Sequence, residues 1–181
     1  HGLLLVVLLV AGVLGSLALF VVLPGQGLLY RLLMLAGFTL MCGVWVLTIL
    51  LSGMKRYKVI VTLFGLSYLL IVASALLLRP YGLEGLLGGF VLGNYVLLAG
   101  MWLLVVREFN PTGRLVAFDF ARRSMLYPSL MAIGLLYNLG IWADKFMFWY
   151  FPPTSQAIIG GLRASLIYDM PVFLSYLSII P

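Results

Sequence analysis

The chain has 181 residues, of which 64% are hydrophobic and 9% charged, with a formal net charge of +6. A soluble globular domain carries roughly 25% charged residues, so composition excludes that class and predicts an all-α, polytopic transmembrane helical bundle. The bases lie in short clusters between apolar runs, which argues against a nucleic-acid surface and reads as orientation in a bilayer.

Crossing roughly 30 Å of hydrocarbon takes about 20 apolar residues in a helix. The first such run, Gly2–Leu23, has no basic segment before it and no small-residue cleavage site after it, so it reads as a span and not as a signal peptide. His1, the single histidine, reads as a boundary remnant, and the missing initiator Met points to a piece of a longer protein. Leu28–Ser52, Val59–Leu78 and Leu86–Val106 are three further spans, separated by the breakers Pro24-Gly25, Gly53 and Pro80. Ser124–Tyr150 is long enough to cross with tilt. A sixth run starts near Tyr168 and, at about 14 residues, is short of a full crossing. The expected organisation is therefore four spans in 1–106, a connection at 107–123, and a second block at 124–181.

Basic residues alternate between poor and rich connections. Lys55, Arg56 and Lys58 mark one rich loop and Arg107, Arg114, Arg122 and Arg123 the other, whereas the remaining turns hold Arg31, Arg79 offset by Glu84, and Arg163. The positive-inside rule places 53–58 and 107–123 in the cytoplasm. The turns at 24–27, 79–85 and about 151–164 then face outside. Within 107–123, Asn110-Pro111-Thr112-Gly113 signals a turn, and Leu115, Val116, Phe118 and Phe120 among Arg114, Arg122 and Arg123 suit a short helix on the lipid surface. A solvated linker with topology-setting arginines fits the same residues.

Gly85, Gly89 and Gly93 recur every four residues and line one helix face, with Gly88 and Asn94 beside them. Such a face lets another backbone approach closely, either as a tight packing seam or as a contact on which helices slide. Cys42 is the single cysteine, which leaves no internal disulfide and no metal-ligand spacing. There is no internal histidine, no paired carboxylates at helical spacing and no phosphate-cradling glycine loop. These residues offer no catalytic centre and call for no cofactor.

The chemistry that is present sits in Tyr137–Tyr150, YNLGIWADKFMFWY, where an acid and a base enter an aromatic, apolar run. Each ionisable group at a helix centre costs roughly 2.5–3.5 kcal/mol to insert, so such groups usually face a cavity or a partner. Helical spacing puts Asn138, Trp142, Lys145 and Trp149 on one stripe and Gly140, Asp144 and Phe148 on its neighbour. A polar group, a cation and two indoles suit a sugar, whose apolar faces stack on aromatics while its hydroxyls take hydrogen bonds. The same residues also fit an outer-interface belt with Lys145 snorkelling toward water. Asp169 is the second candidate: it either opens a break with Pro171 that lines a cavity or sits in the first turn of a helix, favoured by its dipole. Arg163 is near enough in sequence to neutralise either acid.

LYNLGIWADKFMFWYFP at 136–152 and YDMPVFLSYLSIIP at 168–181 resemble the Pel exopolysaccharide transporter (PelG) family, a branch of the bacterial polysaccharide-transporter and flippase superfamily. The resemblance implies a two-lobed, flippase-like transporter of the inner membrane, about twice this length, with 107–123 as the cytoplasmic link between lobes. It implies export of a cationic, amino-sugar-rich polymer for biofilm matrix, beside a cytoplasmic glycosyltransferase and membrane partners that sense a cyclic dinucleotide. Asp144 and Asp169 would meet such a polymer, with Lys145 a structural or gating partner. Two rival readings stay open: a non-transporting scaffold that recruits a synthase through Arg114, Arg122 and Arg123, and a lipid-linked oligosaccharide exporter, which would want more cations in its cavity.

Overall fold

A computed structural model describes residues 2–108 and 127–179. These fall into two units: 2–20 with 26–108, and 21–25 with 127–179.

The first unit is built from α1 (Gly2–Val22), whose last two residues belong to the second unit, with α2 (Leu28–Gly53), α3 (Tyr57–Leu78) and α4 (Gly82–Glu108). Leucine is a strong helix former, and in lipid the valines and isoleucines among the leucines must also satisfy their backbone within a helix. The helices overrun the apolar runs by a few residues, because Tyr57, Lys58, Arg107 and Glu108 can extend a helix while their polar ends reach water. The turn from α2 to α3 carries Lys55 at φ 57. The turn from α3 to α4 is a 3-10 turn, Arg79–Tyr81, that passes through Gly82 at φ 67 into α4.

Neighbouring contacts fix the directions. Gly43 lies against both Leu8 and Leu98, Gly15 against Leu35 and Phe38, and Gly37 against Phe90 and Val91, so α1 runs antiparallel to α2 while α4 runs parallel to it. Along the other side of α4, Gly85, Gly89, Gly93 and Gly100 meet Leu78, Ala75, Ile71 and Leu63 in descending order, so α3 and α4 form an antiparallel hairpin. The bundle is thus up, down, up, down. Arg56 donates from Nη2 to Glu108 Oε1 at 2.9 Å and puts the α2–α3 turn and the last turn of α4 at one end. Gly27 faces the Glu84 carboxylate, which puts the two base-poor turns at the other.

The core of this unit is Leu4, Val44, Leu47, Leu51, Ile60, Leu97, Met101 and Val105. Three stretches among the described residues are long and apolar enough to cross a membrane: Gly2–Leu19, Leu28–Gly53 and Tyr57–Glu108, the last of which holds both α3 and α4. In lipid the core gains little from water release, so it rests on close packing.

The glycine stripe lies in the α3–α4 seam. A Cβ on Gly85 would come 2.0 Å from the Leu78 carbonyl oxygen, one on Gly89 2.6 Å from the Ala75 nitrogen, and one on Gly93 2.1 Å from Ile71 Cγ1. Ser74 donates to the Gly89 carbonyl at 3.1 Å across the same seam. Gly88, one step round the helix, has only Leu78 Cδ1 at 3.8 Å. Asn94 is buried and turned to the Phe90 carbonyl of its own helix, at 2.9 Å.

The second unit holds α5 (Pro128–Tyr150), an antiparallel hairpin of β1 (Gln156–Ile159) and β2 (Leu162–Ala164), and α6 (Leu166–Ile179). The hairpin amends the all-helical expectation, which took 151–164 as a plain outer loop. Its two-residue turn is Gly160-Gly161, and Gly160 has φ 58, the positive angle that primed hairpin turns need at their first position. A Cβ there would also meet the Val22 carbonyl at 2.7 Å, and the Gly161 N–H donates to that carbonyl at 2.7 Å. α5 is outside the three apolar stretches, because Asn138, Asp144 and Lys145 dilute it. Pro171 lies inside α6, whose helix continues through it, so no break opens at Asp169.

Candidate functional site

The site is built by the two ends that the hairpin joins. α5 begins with Pro128 in its first turn, where a missing N–H costs nothing. It stops at Tyr150 because a residue before proline is pushed to extended backbone, as Phe151 is, and Pro152 and Pro153 have no N–H to continue the ladder. The Phe151 N–H makes the last bond, to the Met147 carbonyl at 2.9 Å. A helix end leaves carbonyls without partners, and here hydroxyls take two of them. Thr154 Oγ1 donates to the Phe148 carbonyl at 2.9 Å, and Ser155 Oγ donates to that of Trp149. Arg163, from β2, donates through Nε to Ser155 Oγ, which sets a cation at the negative end of the α5 dipole. It is directed there and not to Asp144 or Asp169.

α6 starts behind Ser165, which is fully buried. Asp169 in its first turn reaches back to the Ser165 N–H at 3.0 Å, so its carboxylate satisfies a donor at the start of the helix. The same carboxylate accepts from Trp149 Nε1 at 3.0 and 3.2 Å to its two oxygens. Asp169 therefore caps its own helix and ties it to α5. Tyr168 completes the tie: its ring stacks on Phe148 with centroids 4.8 Å apart, and its hydroxyl donates to Asp144 Oδ2. The other oxygen, Oδ1, accepts the Lys145 backbone N–H at 2.8 Å.

The expected stripe is partly assembled. Lys145 Nζ lies over the Trp142 ring, 4.3 Å from its centroid, and Trp142 meets Trp149 edge-on at 6.4 Å. Phe146 packs against both, 6.2 Å from Trp142 and 6.1 Å from Trp149, and stacks on Tyr150 at 6.5 Å. Asn138 stays apart, with its Nδ2 on the Gly134 carbonyl of its own helix at 2.8 Å. At 1.5 Å per residue, Asp144 and Lys145 sit only about 8–9 Å from the C-terminal end of α5. Below them Phe146, Met147, Phe148, Tyr150, Phe151 and Pro152 line an open apolar hollow of about 480 Å³.

Chemically this is a surface of exposed rings with one ammonium and one exposed carboxylate. A carboxylate has about four lone-pair positions, and two donors leave Asp144 room for an incoming hydroxyl or ammonium. Among the described residues no three His, Cys, Asp or Glu side chains gather as a metal site. Arg114, Arg122 and Arg123 lie outside the described residues.

Comparison with protein families matches residues 1–181 to PelG, described as "Putative exopolysaccharide Exporter (EPS-E)". The chain belongs to the PelG family. No curated protein and no solved structure matches it. The PelG match covers the two helical units alike, and exopolysaccharide export is the activity it suggests; the family is one of exporters and not of enzymes.

Sequence reasoning on this PelG segment missed Tyr168, Ser165, Thr154 and Ser155. A signal existed for most of them. A serine just ahead of an apolar run with an acid in its first turn marks a helix start, and hydroxyls just beyond a Pro-Pro pair are placed to catch the carbonyls of the helix before it. Tyr168 had no such mark, since its partner is 24 residues away.

Proposed function

We propose that the chain is part of a multi-pass exporter of the bacterial inner membrane that moves a cationic, amino-sugar-rich exopolysaccharide out of the cytoplasm for biofilm matrix. α5 and α6 act as further spans of the membrane, and the base-rich end of the first unit's bundle lies in the cytoplasm. The polymer passes the end of α5, where sugar faces stack on Trp142 and Phe146 and ammonium or hydroxyl groups reach Asp144. Asp169 serves as the brace that holds α6 and the Trp149 indole in place. A cytoplasmic glycosyltransferase supplies the polymer, and two lobes rock around the path in alternating access.

The observation that carries this reading is the pairing of an exposed, only half-occupied carboxylate with a bank of exposed indole and phenyl rings on one helix end, in a chain of an exporter family. An amino-sugar polymer matches both halves of that combination. The test is polymer secretion from cells carrying the complete exporter with Asp144→Asn, Asp144→Ala or Trp142→Leu, each checked for membrane insertion. Secretion should fall at least tenfold in the alanine and leucine variants. Unchanged secretion by all three, correctly inserted, would end the proposal.

A further inference from the structure

Lys145 is the one cation of α5, and its ammonium has a ring for a partner instead of a carboxylate. Asp144 is the adjacent residue, yet its Oδ1 is on the Lys145 backbone N–H and its Oδ2 on the Tyr168 hydroxyl. Asp169 is committed to Trp149 and Ser165. The Asp144 carboxylate acts on Lys145 only through its charge, with both oxygens turned to other donors, and the spacing of three residues on one helix lays Nζ on the Trp142 face at 4.3 Å. Trp142 remains 43% exposed, so the contact is open to solutes.

We infer that Lys145 is an internal occupant of a cation-recognising face on Trp142, which an ammonium-bearing sugar residue takes over as it passes. The inference rests on the exporter reading and specifies how the α5 end distinguishes its cargo. An amino sugar brings an ammonium and a flat C–H face together, and so replaces the cation–π contact and adds stacking, while a neutral or acetylated sugar can offer only the stacking. Lys145, on a flexible stem, swings out to water when displaced and returns when the sugar leaves. Trp142 is the ligand-touching group; Lys145 sets specificity and speeds release by competing for the same face.

The test uses the complete exporter in lipid nanodiscs and two probes, a glucosamine hexamer and an N-acetylglucosamine hexamer, with affinity read by calorimetry. Lys145→Met removes the competitor and should tighten glucosamine binding by about 2- to 30-fold, the range a cation–π contact spans, with little change for the acetylated probe. Lys145→Arg, which also covers the ring, should bind as the unchanged protein does. The gain should vanish in the Lys145→Met, Trp142→Leu double variant and be reduced with Trp142→Phe, whose ring attracts cations less. A gain that survives loss of Trp142 would assign the effect to simple charge repulsion and overturn the inference, as would unchanged or weaker binding by Lys145→Met. Loss of secretion in Asp144→Ala together with no Lys145→Met effect would sink this inference alone. A Trp142-dependent gain with secretion intact in every variant would instead sink the exporter path and leave the binding face.

Discussion

The α3–α4 seam and the α5–α6 junction join helices by opposite means. In the seam, Gly85, Gly89 and Gly93 remove side chains altogether, and backbone meets backbone with one hydroxyl, that of Ser74, across the gap. At the junction the backbones stay apart and long side chains bridge them: Tyr168 to Asp144 and Phe148, and Trp149 to Asp169. Dry packing tolerates no added volume, whereas a polar clasp tolerates volume but depends on each donor meeting its acceptor. The first arrangement suits a fixed part of a membrane protein and the second a place where something is handled.

That contrast makes glycine the sharpest probe. Gly89→Leu should destabilise the first unit by about 3 kcal/mol, the upper part of the overpacking range, because the added side chain begins 2.6 Å from the Ala75 nitrogen. Gly134→Ala and Gly140→Ala in α5, where no atom lies within 4 Å of the added Cβ, should instead stabilise by about 0.5–1 kcal/mol, the helix preference of alanine over glycine. Thermal unfolding in detergent compares them, and equal losses at Gly89 and Gly140 would erase the distinction.

Asp169→Asn comes next. It keeps the shape and removes the charge from bonds to Trp149 Nε1 and the Ser165 N–H, at a cost of about 1.5 kcal/mol, the lower end for charge-assisted bonds because Asp169 is half-exposed. Trp149 fluorescence and hydrogen exchange at the Ser165 amide should both report it, and neither should respond to Gly89→Leu. Tyr168→Phe should do less, since the ring keeps its stack on Phe148 and only the hydroxyl on Asp144 is lost. Its expected signature is faster exchange at the start of α6 without a shift in the overall melting midpoint. Smallest of all should be Glu108→Gln: its pair with Arg56 is 54% and 46% exposed on the two side chains. An exposed pair contributes about 0–1 kcal/mol, and salt should remove what there is.

Much of the fold was written in composition. Runs of leucine and valine bounded by Pro24, Gly53 and Pro80 set α1 to α4 to within a few residues of their observed limits, because a chain with no polar alternative in lipid must satisfy its backbone within a helix. The spacing of Gly85, Gly89 and Gly93 placed them on one face before anything said what lay opposite. The hairpin was legible in principle through Gly160-Gly161 between two short apolar stretches, but nine residues of mixed polarity also read as a loop.

The candidate site divides in the same way. Periodicity alone brings Trp142, Lys145 and Trp149 together on one stripe, and the cation over the indole is a consequence of that spacing. What the tertiary structure decided is the fate of the two acids. Asp144 and Asp169 look alike in sequence, each an acid at the edge of an apolar run. The path of the chain through the hairpin brings Trp149 and the Ser165 N–H onto Asp169, which makes it a brace, and brings only Tyr168 onto Asp144 from afar, which leaves it open. Local spacing fixes which residues share a helix face, since that geometry repeats every turn. Which of two equal carboxylates is used up depends on donors some 20 residues away, and only the folded chain delivers those.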